Sequence, residues 1–384
     1  MRREYTDGGG EDVAAVARSV AAESGVGGLF VLAGESAPFE PTGAEAASNP
    51  ATWEVDVPVF GGVFPEVIHG GVKTDAGTVV VGLPVTPELQ TVTGLDDDSV
   101  GIVEQLDPTA LERGHETAFV LVDSYAGRVG EFVDRLFDTY GVEVTFVGGG
   151  TGSLDGPEGP SLFTDAGPLD AGAVVASTTL SSSLGVRHGW EEIAGPLRVT
   201  DSDGRTIQTL DGEPAFDQYS EIVASHAGRS VDPDDFFESA KAYPFGISRV
   251  GGEIIVRDPY QVHEDGSIDC FGAVPEGEFV HVLHGDSDRL VSAARAARDE
   301  AASGDDTGTA GSEDATASAE SLFFFDCISR VLYLEDGFSE ELGAIGGDGE
   351  PAVGALTIGE IANDGHGHLE YYNKTAVVAS LTDR

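Results

Sequence analysis

The sequence predicts an α/β fold of layered sheets with flanking helices, built from repeated strand–helix–strand–glycine turn–strand units. Three observations carry that expectation. Three short apolar runs turn polar or small at their ends: "GLFVLAG" (28–34), "TAFVLVDSYAG" (117–127) and "SLFFFDCISRV" (321–331). A glycine-marked strand follows each: "PVFGGVFPEVI" (58–68), "TFVGGGTGSL" (145–154) and "PAVGALTIGEI" (351–361). A further apolar strand closes each set: "TVVVGL" (78–83), "AVVAST" (173–178) and "AVVASL" (376–381). Such runs read as buried strands that deliver loop residues at their ends. Phe30 precedes Gly61 by 31 positions, Phe119 precedes Gly148 by 29 and Phe323 precedes Gly354 by 31. Near-constant spacing favours internal duplication over coincidence.

The remaining elements follow in order. "EDVAAVARSVAAES" (11–24) is a helix with Val13, Val16, Ala17, Val20 and Ala21 inward. In the second set "RVGEFVDRLFDTYG" (128–141) puts Val129, Phe132, Val133, Leu136 and Phe137 on one stripe, and Gly141 stops the helix. "LRVTDSDGRTIQTLDG" (197–212) reads as a hairpin around Asp203-Gly204. "EPAFDQYSEIVASH" (213–226) is a helix whose Pro214 sits near its start, where it is tolerated. Segments 251–259, 266–277 and 278–285 supply at least three more strands, and "DRLVSAARAARDEAA" (288–302) is a fourth helix. "ASGDDTGTAGSEDATASAE" (302–320) has too little apolar surface to repay ordering and is expected to be a flexible acidic insertion. The expected division is a domain over 1–205 and a second over 206–384 carrying that insertion.

Charge narrows the function classes. The 20 basic residues face 68 acidic ones, a net charge of -48. That is about one excess negative charge per 300 Å² of the roughly 14,000 Å² expected for a folded chain of this size. Such density costs stability by self-repulsion unless salt relieves it, so a halophilic protein of a high-salt cytoplasm is expected. The sequence offers no basic stretch to neutralise phosphates, which argues against nucleic acid. No run of eighteen apolar residues exists, so no membrane span is expected. The two cysteines, Cys270 and Cys327, read as reduced thiols. The histidines form no metalloprotease motif and no metal site is expected, while "GGGTGSLDG" lacks the lysine of a phosphate loop.

The pieces "RHGWEEI" (187–193), "LDGEPAFDQY" (210–219), "YPFGI" (243–247) and "GEIIVRDP" (252–259) occur in that order. "GSIDCFGAVPEG" (266–277), "FFDCISR" (324–330), "GALTIGEI" (354–361) and "YYNKT" (371–375) continue it. Together they resemble the FIST sensory family, with its N- and C-terminal FIST domains, most strongly from about Ala118 onward. The resemblance implies a non-enzymatic sensory protein of signal transduction that binds a small molecule, amino acids being among the candidates. A haem-based gas sensor is the alternative, with an axial histidine such as His188 or His284, and a Cys327-dependent enzyme comes after it. The first set departs from the family in lacking a cysteine or serine in its glycine turn. No kinase, receiver or methyl-accepting output is recognisable, so the resemblance implies a stand-alone archaeal-type member working with a separate histidine kinase or chemotaxis-type output protein.

Seven residues are the candidate ligand-binding set: His188, Trp190, Arg257, Cys327, Arg330, Glu360 and Asn373. Arg330 follows a strand end, where α/β sheets usually place ligands, and a guanidinium clamps a carboxylate with two parallel bonds. It could equally pair with one of the many acids. Glu360 in "TIGEI" would receive an ammonium or be a plain surface acid, and Glu66 occupies a loosely comparable place in the first set. Asn373 offers a donor and an acceptor, or is a strand-edge asparagine. Arg257 could reach a pocket rim or pair with Asp258 to shape its turn. His188 and Trp190 join an apolar body to a polar handle, which suits binding and core packing alike. Cys327 is a nucleophile only if a base lies near, and otherwise a small buried hydrophobe.

Overall fold

The computed structural model describes residues 1–384 apart from 40–47, 157–158, 249–253, 304–320, 347–350, 364–366 and 384. The expected acidic insertion at about 302–320 therefore lies, beyond Ser303, outside the described residues.

Each of the three sets forms the same three-stranded core. Gly28–Gly34 pairs in parallel with Val59–Phe64 on one side and antiparallel with Thr78–Leu83 on the other. Thr117–Asp123 stands likewise between Thr145–Thr151 and Ala173–Thr178. Ser321–Cys327 stands between Val353–Thr357 and Ala376–Thr382. The glycine in each parallel partner is a close-approach position. A Cβ on Gly61, Gly148 or Gly354 would lie 2.1, 2.0 or 1.8 Å from the carbonyl oxygen of Val31, Val120 or Phe324. No side chain fits there, because the neighbouring strand's backbone already fills the space.

The cores are joined by exchanged hairpins. The hairpin Glu66–His69/Val72–Thr74 leaves the first set and pairs with Val353–Thr357 of the third. Leu162–Thr164/Gly167–Leu169 of the second pairs with Val59–Phe64 of the first. Glu360–Asn363/Leu369–Tyr372 of the third pairs with Thr145–Thr151 of the second. An outer strand completes each six-stranded sheet: Arg2–Thr6, Glu88–Val92 and Ser181–Arg187. The inner faces meet at Phe30, Phe119 and Phe323, fully buried, with ring centroids 5.1, 6.1 and 5.2 Å apart. Burying each phenylalanine contributes about 2–3 kcal/mol, and tilted ring contacts add about 0.5–1.5 kcal/mol each.

The inserted region closes on itself. The long strand Glu191–Asp203 pairs with Phe279–His284 along its first half and with Thr206–Leu210 along its second. Phe245–Ile247, Ile255–Val262 and Ile268–Phe271 complete a six-stranded ring. Helix Ala215–Ala227 packs Ala215, Tyr219 and Val223 into the core here, and the Tyr219 hydroxyl donates to the Tyr243 carbonyl at 2.8 Å. The expected division after residue 205 falls in the turn of one hairpin of this ring, and the exchanged hairpins carry strands across it in both directions. Helix Val129–Tyr140 buries Val129, Phe132, Val133 and Leu136 of the expected stripe together with Tyr140, leaves Phe137 half-buried, and ends at Gly141 with φ +63°. The runs 58–68 and 351–361, which read as a strand and a turn, each supply two strands to two different sheets.

Candidate functional site

The third leading strand ends with Asp326 and Cys327, where the short helix Ile328–Leu334 begins. Residues 323–326 alternate: Phe323 and Phe325 enter the central core, while Phe324 faces the helices and Asp326 points toward Arg330. Arg330 is fully buried. Its Nε lies 3.1 Å from Asp326 Oδ1 and 3.1 Å from Glu341 Oε1, and its Nη2 donates to Glu341 Oε1 at 2.8 Å. Nη2 also donates to the Leu290 carbonyl at 3.0 Å, and Nη1 to the carbonyls of His188 at 2.6 Å and Lys374 at 3.5 Å. The guanidinium's donors are thus committed to the protein. This geometry gives Arg330 a holding role.

A second cluster forms where the chain passes from one sheet to the next. Thr357 ends one strand and Glu360 begins another, with Gly359 at φ +88° between them. A Cβ on Gly359 would lie 2.4 Å from Tyr371, so the turn requires glycine. Glu360 Oε1 accepts from the Thr357 hydroxyl at 2.7 Å and Oε2 from the Thr375 amide at 3.3 Å. Burial is the main cause that raises its carboxyl from an ordinary 4.5 to about 8, against these hydrogen bonds and one with Cys327. Burial likewise pushes the Cys327 thiol up, with the neighbouring Glu360 adding to the effect. A protonated, buried thiol is a poor nucleophile.

Lys374 joins these groups to Trp190 and Asp258. It is fully buried at φ +52°, with Nζ 3.2 Å from Asp258 Oδ1, 3.1 Å from the Lys241 carbonyl and 5.2 Å from the Trp190 ring centroid. Trp190 Nε1 donates to the Lys374 carbonyl at 3.0 Å, and the Trp190 amide donates to His188 Nδ1 at 2.9 Å. Arg257 straps the ring to the exchanged hairpin by donating to the carbonyls of Ala273, Val256 and Tyr371. Asn373 takes the Thr375 hydroxyl on its carbonyl, and its buried Oδ1 accepts no hydrogen bond among the described residues.

Six of the seven candidates lie along one polar network and Arg257 straps the ring beside it, none of the seven more than 7% exposed. Solvent reaches it at a cleft of about 470 Å³. One wall is Arg187–Trp190 and the other the first turns of helix Ser287–Ser303, through Asp288, Arg289, Ser292 and Ala293. The expectations omitted Glu341, Thr357, Lys374 and Thr375, and offered Asp258 only as a partner for Arg257, whereas it pairs with Lys374. Lys374 carried a signal, as one of three lysines in the chain. Glu341 carried none.

The FIST N domain model matches residues 34–213 and the FIST C domain model matches 215–363. The chain belongs to the FIST family. No curated protein matches it. FIST domains are sensory domains of signalling proteins that bind small ligands, and they are not known as enzymatic domains. Among the described residues, no helix of this FIST protein is long and apolar enough to cross a membrane.

Glu360 yields a pH prediction. The folded chain keeps its proton to about 8 and the unfolded chain only to about 4.5. Its contribution to stability is full below the lower value and is lost between the two, by up to about 1.4 kcal/mol per pH unit. Glu360→Gln is expected to remove that part of the slope. Urea unfolding at pH 5, 7 and 9 checks it: a variant whose stability relative to the parent does not rise with pH contradicts the assignment.

Proposed function

We propose that this FIST protein is a sensor of a small zwitterion, an amino acid or close relative, bound in the cleft between 187–190 and 288–293. The observation that carries this reading is the cleft's position: its wall residues His188 and Trp190 bond directly into the buried network. The cleft presents both signs of charge, with Arg187 and Arg289 beside Asp288 and the indole of Trp190 as an apolar wall. Arg187 is paired with Glu300 at 3.0 Å and Arg289 with Glu191 at 2.6 Å, so a ligand carboxylate would compete for surface pairs that contribute little. Arg330, Glu360, Cys327, Asn373 and Arg257 shape and transmit from behind, rather than touching the ligand. Binding would be read by a separate partner such as a histidine kinase or chemotaxis-type output protein, in a cytoplasm rich in salt. The three matching sheets support descent of the chain from a triplicated unit.

Thermal unfolding in molar potassium chloride with a panel of amino acids tests the reading. A binder at a hundredfold its Kd adds about 2.7 kcal/mol and raises the midpoint by several degrees. Ser292→Trp, which fills the cleft from an exposed position, should leave the unliganded midpoint unchanged and erase the shift. A panel without any shift, or a shift that survives Ser292→Trp, overturns the proposal.

A further inference from the structure

The acids around Arg330 outnumber the charges available to them. Asp326, Glu341 and Glu360 surround one guanidinium, all fully buried. Asp326 Oδ1 accepts from the Cys327 amide at 3.0 Å and faces Arg330 Nε, while Glu341 Oε1 takes both Arg330 contacts described above. That leaves Asp326 Oδ2 and Glu341 Oε2, each buried and without a donor among the described residues. The two carboxyl groups converge on one nitrogen, with Asp326 Oδ1 and Glu341 Oε1 each 3.1 Å from Arg330 Nε. Two ionised carboxylates converging on one guanidinium nitrogen in a dry interior repel, and each would bury an unsatisfied oxygen. One proton between them removes both costs: it makes one oxygen a donor to the other and leaves a single negative charge opposite Arg330.

We propose that Asp326 and Glu341 share one buried proton, and that this proton gates the cleft by holding Arg330 in place between its two walls. The gating half rests on the cleft being the ligand site. Asp326 is the proton's home, because Glu341 accepts two N–H contacts from the guanidinium and has more to gain from charge. Burial and the facing Glu341 and Glu360 hold the Asp326 carboxyl well above the carboxylate range, against the opposing pull of Arg330. The guanidinium bonds the His188 carbonyl on one wall and the Leu290 carbonyl on the other. Loss of the proton adds a second negative charge beside Arg330 Nε. The guanidinium is then drawn toward the acids and away from those carbonyls, and the walls loosen. Lys374 and Asp258 lie beyond Arg330 as an ion pair of their own and balance each other.

The full-length protein tests this without any ligand. Infrared spectra of the parent at neutral pH should contain a protonated-carboxyl band that disappears in Asp326→Asn, while the band of Glu360 remains. Asparagine keeps a donor toward Glu341 and needs no proton, so the variant should fold. Emission from Trp190, on the cleft wall, should titrate as pH rises in the parent and lose that titration in Asp326→Asn. A contribution from Tyr333, which also neighbours Trp190, would be the same in both proteins. A parent spectrum with no protonated carboxyl assignable to Asp326 overturns the shared proton, and identical Trp190 titrations in the two proteins overturn the gate. A flat amino-acid panel bears only on the ligand.

Discussion

Arg330→Ala is expected to cost about 3–5 kcal/mol of folding stability, the range for removing one partner of a buried ion pair. The loss comes from what stays behind. Glu341 and Asp326, both fully buried, would keep a negative charge without its counter-ion, and the carbonyls of His188 and Leu290 would lose their donor. Arg330→Lys should recover only part, because an ammonium offers three donors from one point where the guanidinium offers five in a plane. The triple change Asp326→Val, Arg330→Met, Glu341→Leu removes charge and counter-charge together and should be far milder than Arg330→Ala alone. Urea unfolding of the four proteins checks the ranking. A parent-like Arg330→Ala would show that the guanidinium is not a structural tie. A triple variant as unstable as the single one would show that packing, rather than stranded charge, sets the cost.

Much of the architecture was legible because local pattern and sheet pairing agree. The constant distance from Phe30, Phe119 and Phe323 to a glycine marks the parallel partner strand, and those phenylalanines meet in the core. Exchange of hairpins was not legible. "PAVGALTIGEI" reads as one stretch, and only Gly359 marks the point where the chain leaves its own sheet. Which sheet receives the hairpin depends on contacts more than two hundred residues away, between Glu360 and Gly149, and no local periodicity encodes them. The site divides the same way. Arg330 and Glu360 stood out as charges in apolar runs. Glu341 is one acid among 68 on an amphipathic helix, and its burial follows only from where that helix packs. The second cleft wall, Asp288–Ala293, reads as an ordinary solvated helix start for the same reason. Burial explains the change in Arg330's part: a clamp for a ligand needs donors to spare, and the fold has used them.

Lowering potassium chloride from 2 M to 0.1 M is expected to lower the unfolding midpoint by about 10 °C or more. The chain carries -48 over a surface of 15968 Å². At about one excess charge per 300 Å², neighbouring excess charges sit ~17 Å apart, and the screening length grows from about 3 Å at molar salt to about 10 Å at 0.1 M. Over that spacing repulsion is attenuated about 300-fold at molar salt and only about fivefold at 0.1 M, and it sums over many pairs. The -48 already counts all 20 basic residues, of which Arg257, Arg330 and Lys374 are committed to the interior. Potassium chloride also strengthens apolar burial slightly, so screening must be separated from exclusion. Sucrose is excluded from protein surfaces without screening charge, and at matched osmolality it should restore little of the lost midpoint. A midpoint that is flat across the salt range, or one that sucrose restores as well as salt does, would remove the electrostatic explanation and with it the inference of a salt-rich interior.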